Sequence, residues 1–503
     1  MLPIIASLFS TISQAFTSAV AAISAVATMP VILGVAVVTL IFLYATGYGK
    51  RLLVGFYGDF TGAELLKFGL LAIAFFLIIG SYWTLRSIKD AFFDVLVGYI
   101  NVPFAKILTV FAMVPLLIIY NKLVDCMSRE KLFWVICGFY SALFVIFGLV
   151  YINLDASWLS FGDKFLSWIP GHAVTKNGIQ LFGISRLLGW LSFIVVETMG
   201  GVIVMLFWSY THSTTNTVLG KKGYPLLFIA AQAGNLAGPT IATYSEVLGF
   251  LGLFLIAGAI LMVVPMIIYL YRTFVPDELR QTDSGGAVAK KKPTGALEGV
   301  RLMGKHPYLM GLAFVATVYE IVGTLIDFQF KMTASQAYSG TALAAYIGGY
   351  GQWSAFVGIV FSVLGTSFII RRLGVRWSLL LYPSLLAAII VMVRYIPVLN
   401  VLFWAMVCVK VLSYTLNNPV KELMYIPTSK DVKFKVKAVI DGFGGKLAKG
   451  IGSGINAMCS ANPAMLVAYG TLASLGIVGI WIMIALVVGK TYDDLIESKK
   501  ILD

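Results

Sequence analysis

A chain of 503 residues that is 59% apolar and 12% charged, with a mean hydropathy of +0.91, excludes a soluble protein, in which about 25% of residues are charged. Its 37 basic residues exceed its 23 acidic ones by 14, a surplus that suits basic loops on one membrane face and an anion pathway. Four cysteines (Cys126, Cys137, Cys408, Cys459) and three histidines (His172, His212, His306) are too dispersed for a disulfide framework, a metal site or a catalytic cluster. No metal, cofactor or enzymatic activity is therefore expected.

The first 49 residues carry no charge. They lack the basic opening of a secretory signal and the Arg-rich composition of a transit peptide. Residues 30–48 read as an accessory span, with the Ser/Thr/Ala-rich stretch 3–29 on or beside the interface, so 1–62 is expected to be an accessory hydrophobic segment. Apolar runs then predict spans near 63–92, 102–121, 132–153, 180–212, 222–246 and 249–273, a first six-helix bundle over 63–273. The one long polar stretch, 274–306, holds Asp277, Glu278, Arg280, Lys290, Lys291 and Lys292 and reads as a cytoplasmic linker. Six further spans near 308–332, 342–371, 376–396, 398–424, 436–460 and 464–489 predict a second bundle over 307–490, with 491–503 as a cytoplasmic tail.

Basic loop residues set the orientation. With the linker cytoplasmic, the loops holding Lys122, Arg129 and Lys131, Lys221 and Lys222, Arg371, Arg372 and Arg376, and Lys430, Lys433, Lys435 and Lys437 are cytoplasmic as well. The opposite loops hold little beyond Lys164 and Lys176.

Two six-span halves invite a search for repeats. AGNLAGP (233–239) in the fifth span matches GGKLAKG (444–450) in the eleventh, placing Asn235 opposite Lys446. Gly80 and Thr84–Leu85–Arg86 in the first span match Gly323–Thr324–Leu325 in the seventh. Two matches in corresponding positions point to an internal duplication. The loop NKLVDCMSREK (121–131) and its counterpart RRLGVRW (371–377) resemble the acidic-then-basic loop motif of the major facilitator superfamily. The fold class expected is an all-α polytopic membrane protein with major-facilitator-like 6+6 helix bundles and an additional N-terminal helix.

A charge at mid-membrane costs about 2.5–3.5 kcal/mol on insertion scales, so each one needs a physical reason. Lys67, Lys106, Arg394 and Glu422 lie near predicted helix ends, where they are expected to snorkel. A deeper set follows helical spacing. Arg86 and Lys89 share one helix face, as do Lys446 and Lys449, and like charges on one face repel unless an anion lies between them. Asp327 and Lys331, four apart, can pair with each other. Glu197, alone in an apolar run, either balances a base or carries a proton. The cation surplus predicts a central cavity for a multiply charged anion, such as a phosphorylated metabolite. Gly299 to Lys305 has P-loop spacing, but His306 replaces the magnesium-binding hydroxyl and Pro307 follows, so the motif is not taken as one. Without a nucleotide-hydrolysing domain, the chain reads as a secondary transporter.

SYWTLRSIKD (81–90), VVETMGG (195–201), TLIDFQFK (324–331) and KELMYIPTSKDVKFKVKAVIDGFGGKLAKG (421–450) are similar to segments of the nucleotide transporter family. These are the ATP/ADP translocases of plastids and obligate intracellular bacteria, and the resemblance spans roughly residues 63–490. It implies a major-facilitator-like fold and exchange of ATP for ADP and phosphate, or in other members proton-coupled nucleotide uptake or NAD exchange. It implies functional roles for Lys89, Glu197, Asp327 (where the family usually has Glu) and Lys449, and Lys331 matches a recurrent lysine. Departures are Ala448–Lys449–Gly450 where Gly-Lys-Ser is common, Asn418 where Asp is usual, and the accessory N-terminal helix. The expected substrate-binding set is Arg86, Lys89, Glu197, Asp327, Lys331, Lys446, Lys449, Asn235 and Asn418. The expected activity is ATP/ADP antiport by alternating access, by a monomer in a bacterial inner membrane, with no nucleic acid partner. Alternatives are proton-coupled nucleotide or NAD import with Glu197 as proton carrier, and a polytopic enzyme acting on a phosphorylated lipid.

Overall fold

The computed structural model describes residues 60–153, 184–280, 296–364, 366–429, 436–437, 439–440, 444–459, 463–498 and 501–502. The expected accessory segment before residue 60, residues 281–295 of the polar stretch 274–306 and the basic loop 430–435 lie outside them.

Helices begin where the sequence supplies caps. α1 (Gly62–Leu96) starts at Thr61, whose hydroxyl accepts from the Glu64 amide at 3.2 Å while Glu64 Oε2 accepts from the Thr61 amide at 2.8 Å. This reciprocal box satisfies two otherwise orphaned donors. Gly98, at φ +96°, ends the rod and turns the chain through Tyr99–Asn101 into α2 (Val102–Cys126). Ser128 caps α3 (Arg129–Ile152); α4 (Ile184–Ser213) follows, and Asn216 caps α5 (Thr217–Ala242) through a 2.8 Å bond from the Leu219 amide. α6 (Ser245–Phe274) completes the first six. A short amphipathic α7 (Ala296–Lys305) precedes the second set, and the P-loop-like spacing falls inside it, where the backbone is committed to helix.

The second set is α8 (Pro307–Ala337), α9 (Gly340–Leu364), α10 (Thr366–Tyr395), α11 (Leu399–Leu412), α12 (Asn418–Leu423), α13 (Gly445–Cys459) and α14 (Pro463–Glu497). α10 is broken at Gly374 (φ +74°), the centre of RRLGVRW, which separates two predicted spans. α11 and α12 form one rod, joined by a π turn over Ser413–Asn417. Pro419 explains the widened turn: it has no amide to serve the Thr415 carbonyl in α register. Nine spans among the described residues are long and apolar enough to cross a membrane. The three predicted spans outside that set, α5, α9 and α13, are glycine-bearing helices that lie between the halves.

The packing follows from those glycines. α5 lies along α1 and faces α9 in the other half, while α13 lies along α8 and faces α2. A Cβ on Gly238 would stand 2.4 Å from the Gly80 carbonyl oxygen and 2.9 Å from the Thr84 amide, so only glycine allows α5 this close to α1. In the second half the tight contact falls on Gly452, whose Cβ would stand 2.9 Å from the Ile321 carbonyl oxygen. The matched motifs therefore occupy corresponding helices, but the close approach in the second half comes just beyond the motif.

The halves are fastened at the end away from the linker. The first apolar core gathers Phe328, Ala334, Leu343 and Ala344 from α8 and α9 around the first-half helices, whereas the second core is drawn from α8–α14. At this far end Ser245 donates to the Thr341 carbonyl at 2.6 Å, Gln352 donates to Thr240 at 3.0 Å, and Tyr99 stacks on Phe328. The ion pairs near the linker end, Lys222–Glu64, Arg272–Glu130, Arg376–Asp493 and Lys437–Glu422, each stay within one half.

Gly238→Val is expected to lower stability by about 1–3 kcal/mol through overpacking, read as a lower melting temperature in detergent. Gly138→Ala, whose Cβ meets nothing within 4 Å, should melt no earlier than the native protein. Equal melting of both variants would remove the close α1–α5 contact as a stabilising feature.

Candidate substrate site

Six side chains form an alternating ladder of charge where the halves meet. Glu197 on α4 lies 3.0 Å from Lys89 on α1, and Lys89 lies 2.6 Å from its neighbour Asp90. Asp90 reaches across to Lys331 on α8 at 2.7 Å; Lys331 also meets Asp327 at 3.1 Å, one turn away on its own helix. Asp327 returns to the first half through Lys106 on α2 at 3.2 Å. Lys89 and Asp90 are almost fully buried, at 3% and 1% side-chain exposure, while Glu197 at one end and Lys106 and Asp327 at the other are 25%, 21% and 22% exposed. The Phe193 ring lies 4.0 Å from Lys89 Nζ and shields its other side.

A cavity of about 440 Å³ opens between this ladder and the linker end. Arg86, Lys106, Glu197, Glu320, Asp327, Lys410, Lys446 and Lys449 line it, interleaved with Tyr82, Tyr319, Tyr350, Tyr382 and Tyr414. Arg86 is held by aromatic groups: its Nη1 donates to the Tyr82 hydroxyl at 3.2 Å, and its guanidinium lies 4.8 Å from the Trp83 ring. Tyr82 fits because α4 carries Gly200 opposite it, where a Cβ would stand 2.4 Å from the ring. Lys410 on α11 lies 4.2 Å from the same Trp83 ring and 5.1 Å from Tyr350. Lys449 is 3.5 Å from Glu320, and the Asn456 amide clamps α13 to the Thr324 carbonyl at 3.1 Å.

The charges divide into two groups. The ladder holds three cations and three carboxylates and is neutral. Beyond it, the Lys449–Glu320 pair is also balanced, and Arg86, Lys410 and Lys446 have no carboxylate within 4 Å among the described residues. The lining thus presents three basic side chains without an acidic partner to its interior. No group of His, Cys, Asp or Glu among the described residues is arranged to hold a metal.

Arg86, Glu197, Asp327, Lys446 and Lys449 line this cavity, and Lys89 and Lys331 stand behind its wall in the ladder. Asn235 faces a second, smaller cavity. Asn418 begins α12 past the π turn and lines neither; its buried Oδ1 has no partner among the described residues. Arg86 and Lys89, on one helix face by spacing, are separated in use: Lys89 turns into the ladder and Arg86 into the cavity. Two of the expected snorkelling residues do otherwise. Lys106 pairs inside with Asp327, and Lys67 is fully buried, donating to the Thr214 and Leu279 carbonyls at 2.6 and 2.7 Å, where two segments end with unserved acceptors. Arg394 is exposed, and Glu422 pairs with Lys437. Asp90, Glu320 and Lys410 are additional to the sequence reading, although a lone charge inside an apolar run marks each of the last two.

Residues 57–492 match the family described as TLC ATP/ADP transporter. The chain belongs to that family. ADP,ATP carrier protein 3 of Rickettsia bellii is 24% identical over 489 residues, covering 86% of this chain and 95% of the relative. The chloroplastic ADP,ATP carrier protein 1 of Arabidopsis thaliana is 25% identical over 460 residues, covering 82% and 70%. Among solved structures, a bacterial homologue of the iron transporter ferroportin in its inward-facing state is similar over 85% of this chain and 98% of its own, with TM-score 0.57 and 15% identity. A bacterial homologue of the lysosomal transporter spinster, inward-facing and unoccupied, gives TM-score 0.54 at 14% identity, over 87% and 99%. These structural likenesses bear on the fold alone: a multi-pass, major-facilitator-like membrane protein. Within the family this chain is a carrier and not an enzyme.

Asp90 ties two buried lysines at once. Asp90→Asn is expected to destabilise the protein by about 3–5 kcal/mol, because it leaves three ladder cations to share two carboxylates. Adding Lys331→Gln should recover much of that loss, since Lys89 keeps Glu197 and Asp327 keeps Lys106. A double-mutant cycle on melting temperature checks the coupling; additive losses would show that the ladder does not act as a unit.

Proposed function

We propose that this carrier exchanges ATP for ADP across a bacterial inner membrane by alternating access, with the linker on the cytoplasmic side. In that orientation the fastened far end faces outward and the cavity faces the cytoplasm. The observation that carries the reading is the set of three unpaired cations, Arg86, Lys410 and Lys446, in one tyrosine-lined cavity. A polyphosphate with about three or four negative charges needs a comparable number of cations in a low-dielectric site. Arg86 comes from the first half, and Lys410, Lys446 and Lys449 come from the second. An anion between them therefore binds both halves together at the linker end.

The same geometry gives the exchange its strictness. Closing the empty cavity brings like charges together, while closing it around a nucleotide brings opposite charges together. The loaded carrier changes state; the empty one resists. The ladder supplies the complementary step. Its inter-half contacts, Asp90–Lys331 and Lys106–Asp327, must part for the far end to open, and Lys331 and Asp327 can then remain paired along α8.

Purified protein in liposomes loaded with ADP is expected to take up labelled ATP at least about tenfold faster than in liposomes without internal nucleotide. Equal rates would overturn strict exchange. Lys449→Gln and Arg86→Gln should each weaken apparent ATP affinity by about 10- to 100-fold, the worth of one charge-assisted contact of about 1.5–3 kcal/mol. Native affinity in both would move the phosphates out of this cavity.

A further inference from the structure

A second cavity, of about 270 Å³, adjoins the first and is lined from both halves by α1, α5, α9 and α11 with its π turn. The two cavities share two residues, Lys410 and Tyr414. Trp83, with Lys410 4.2 Å from its ring, faces the second cavity, and Arg86, 4.8 Å from the same ring, faces the first. The chemistry changes across this divide. Beyond Lys410 the second cavity carries no charged group among the described residues; its polar lining is the amides of Gln232 and Asn235, the hydroxyls of Ser354, Ser362, Tyr414 and Thr415, and the Trp83 indole. Phe228, 57% exposed, offers it an aromatic face.

Neutral amides beside aromatic rings suit a nucleobase and do not suit phosphate. Asn235 Nδ2 donates to Gln232 Oε1 at 3.4 Å. That leaves an Asn235 acceptor and a Gln232 donor with no protein partner among the described residues. An adjacent acceptor and donor form the pattern that meets a base edge carrying an amino group beside a ring nitrogen. The volume agrees: it falls just short of the roughly 300–1,000 Å³ of a pocket for a whole drug-sized ligand, so it suits one part of a larger molecule.

We propose that the second cavity is the base compartment of the transport site, with Gln232 and Asn235 reading the base edge and Lys410 at the joint between base and phosphates. This rests on the nucleotide-exchange reading above. It assigns selectivity to α5, away from the lysines of α13.

The test is competition against labelled ATP uptake into ADP-loaded liposomes, using unlabelled ATP, GTP, CTP, UTP and inorganic tripolyphosphate. The native protein is expected to prefer ATP over its weakest nucleotide competitor by about tenfold or more, as a site with hydrogen-bonding groups dedicated to one base does. Asn235→Ala and Gln232→Ala should each bring that ratio below about threefold, with inhibition by tripolyphosphate within about twofold of native. Lys446→Gln should do the reverse, weakening tripolyphosphate while keeping the ratio. Native selectivity that survives both amide substitutions overturns the base compartment and leaves nucleotide exchange standing, and so does a native protein that moves nucleotides without preference. A protein that moves no nucleotide removes the exchange reading and the compartment together.

Discussion

The alternating ladder from Glu197 to Lys106 is the constraint on which the conformation depends. Each of its charges sits where an unpaired ion costs several kcal/mol, so its members cannot be withdrawn one at a time without leaving an uncompensated neighbour. The charges also balance within each half. Lys89, Lys106, Asp90 and Glu197 belong to the first, and Asp327 and Lys331 to the second. Each group is neutral by itself. The halves can therefore separate at this end without stranding net charge on either side. The ladder is strong enough to hold a closed end and balanced enough to release it.

Glycine gives the bundles the proximity that the ladder requires. Polar contacts near 3 Å between side chains of α1 and α8 need the backbones of α5 and α9 to approach closely, and Gly348 and Gly351 let α9 do so against Pro239 and Thr243. Lipid supplies no hydrophobic drive between helices, so close backbone packing and buried polar contacts carry the association. The spans that bear these glycines, α5, α9 and α13, are helices placed between the halves.

The sequence shows the span pattern because each span needs about 20 apolar residues, and it shows the break at Gly374 because RRLGVRW interrupts the run with charge. It also exposes Glu197, Asp327 and the lysines of α13, each isolated among apolar neighbours. Lys410 and Glu320 meet the same criterion, in AMVCVKVLS and VYEIVG. Asp90 is a different case. Beside Lys89 and near the end of a span it reads as an ordinary boundary charge, and only the approach of Lys331 from a helix 241 positions later gives it a role. Lys106 and Lys67 are ambiguous for the same reason: proximity to a helix end permits snorkelling, and tertiary partners decided otherwise. The split of the central space by Trp83 and Lys410 depends on the register of α1 against α11 and on the π turn beyond it, neither of which is encoded in local periodicity.

In the proposed mechanism the neutral ladder and the charged cavity together yield directionless exchange. Two unit charges 4 Å apart repel by about 4 kcal/mol at the effective dielectric of a partly hydrated protein site, which alone is about a thousandfold in rate. Arg86, Lys410 and Lys446 contribute three such charges from helices of both halves, and narrowing the linker end of an empty cavity forces them toward one another. A bound polyphosphate reverses the sign of that work. Since a nucleotide di- and triphosphate both carry enough charge to do so, either can accompany the carrier in either direction, and net flow follows the two gradients. Selectivity among nucleotides must then come from groups that do not bear on closure, which is why uncharged amides beside the cavity are better suited to it than the lysines within.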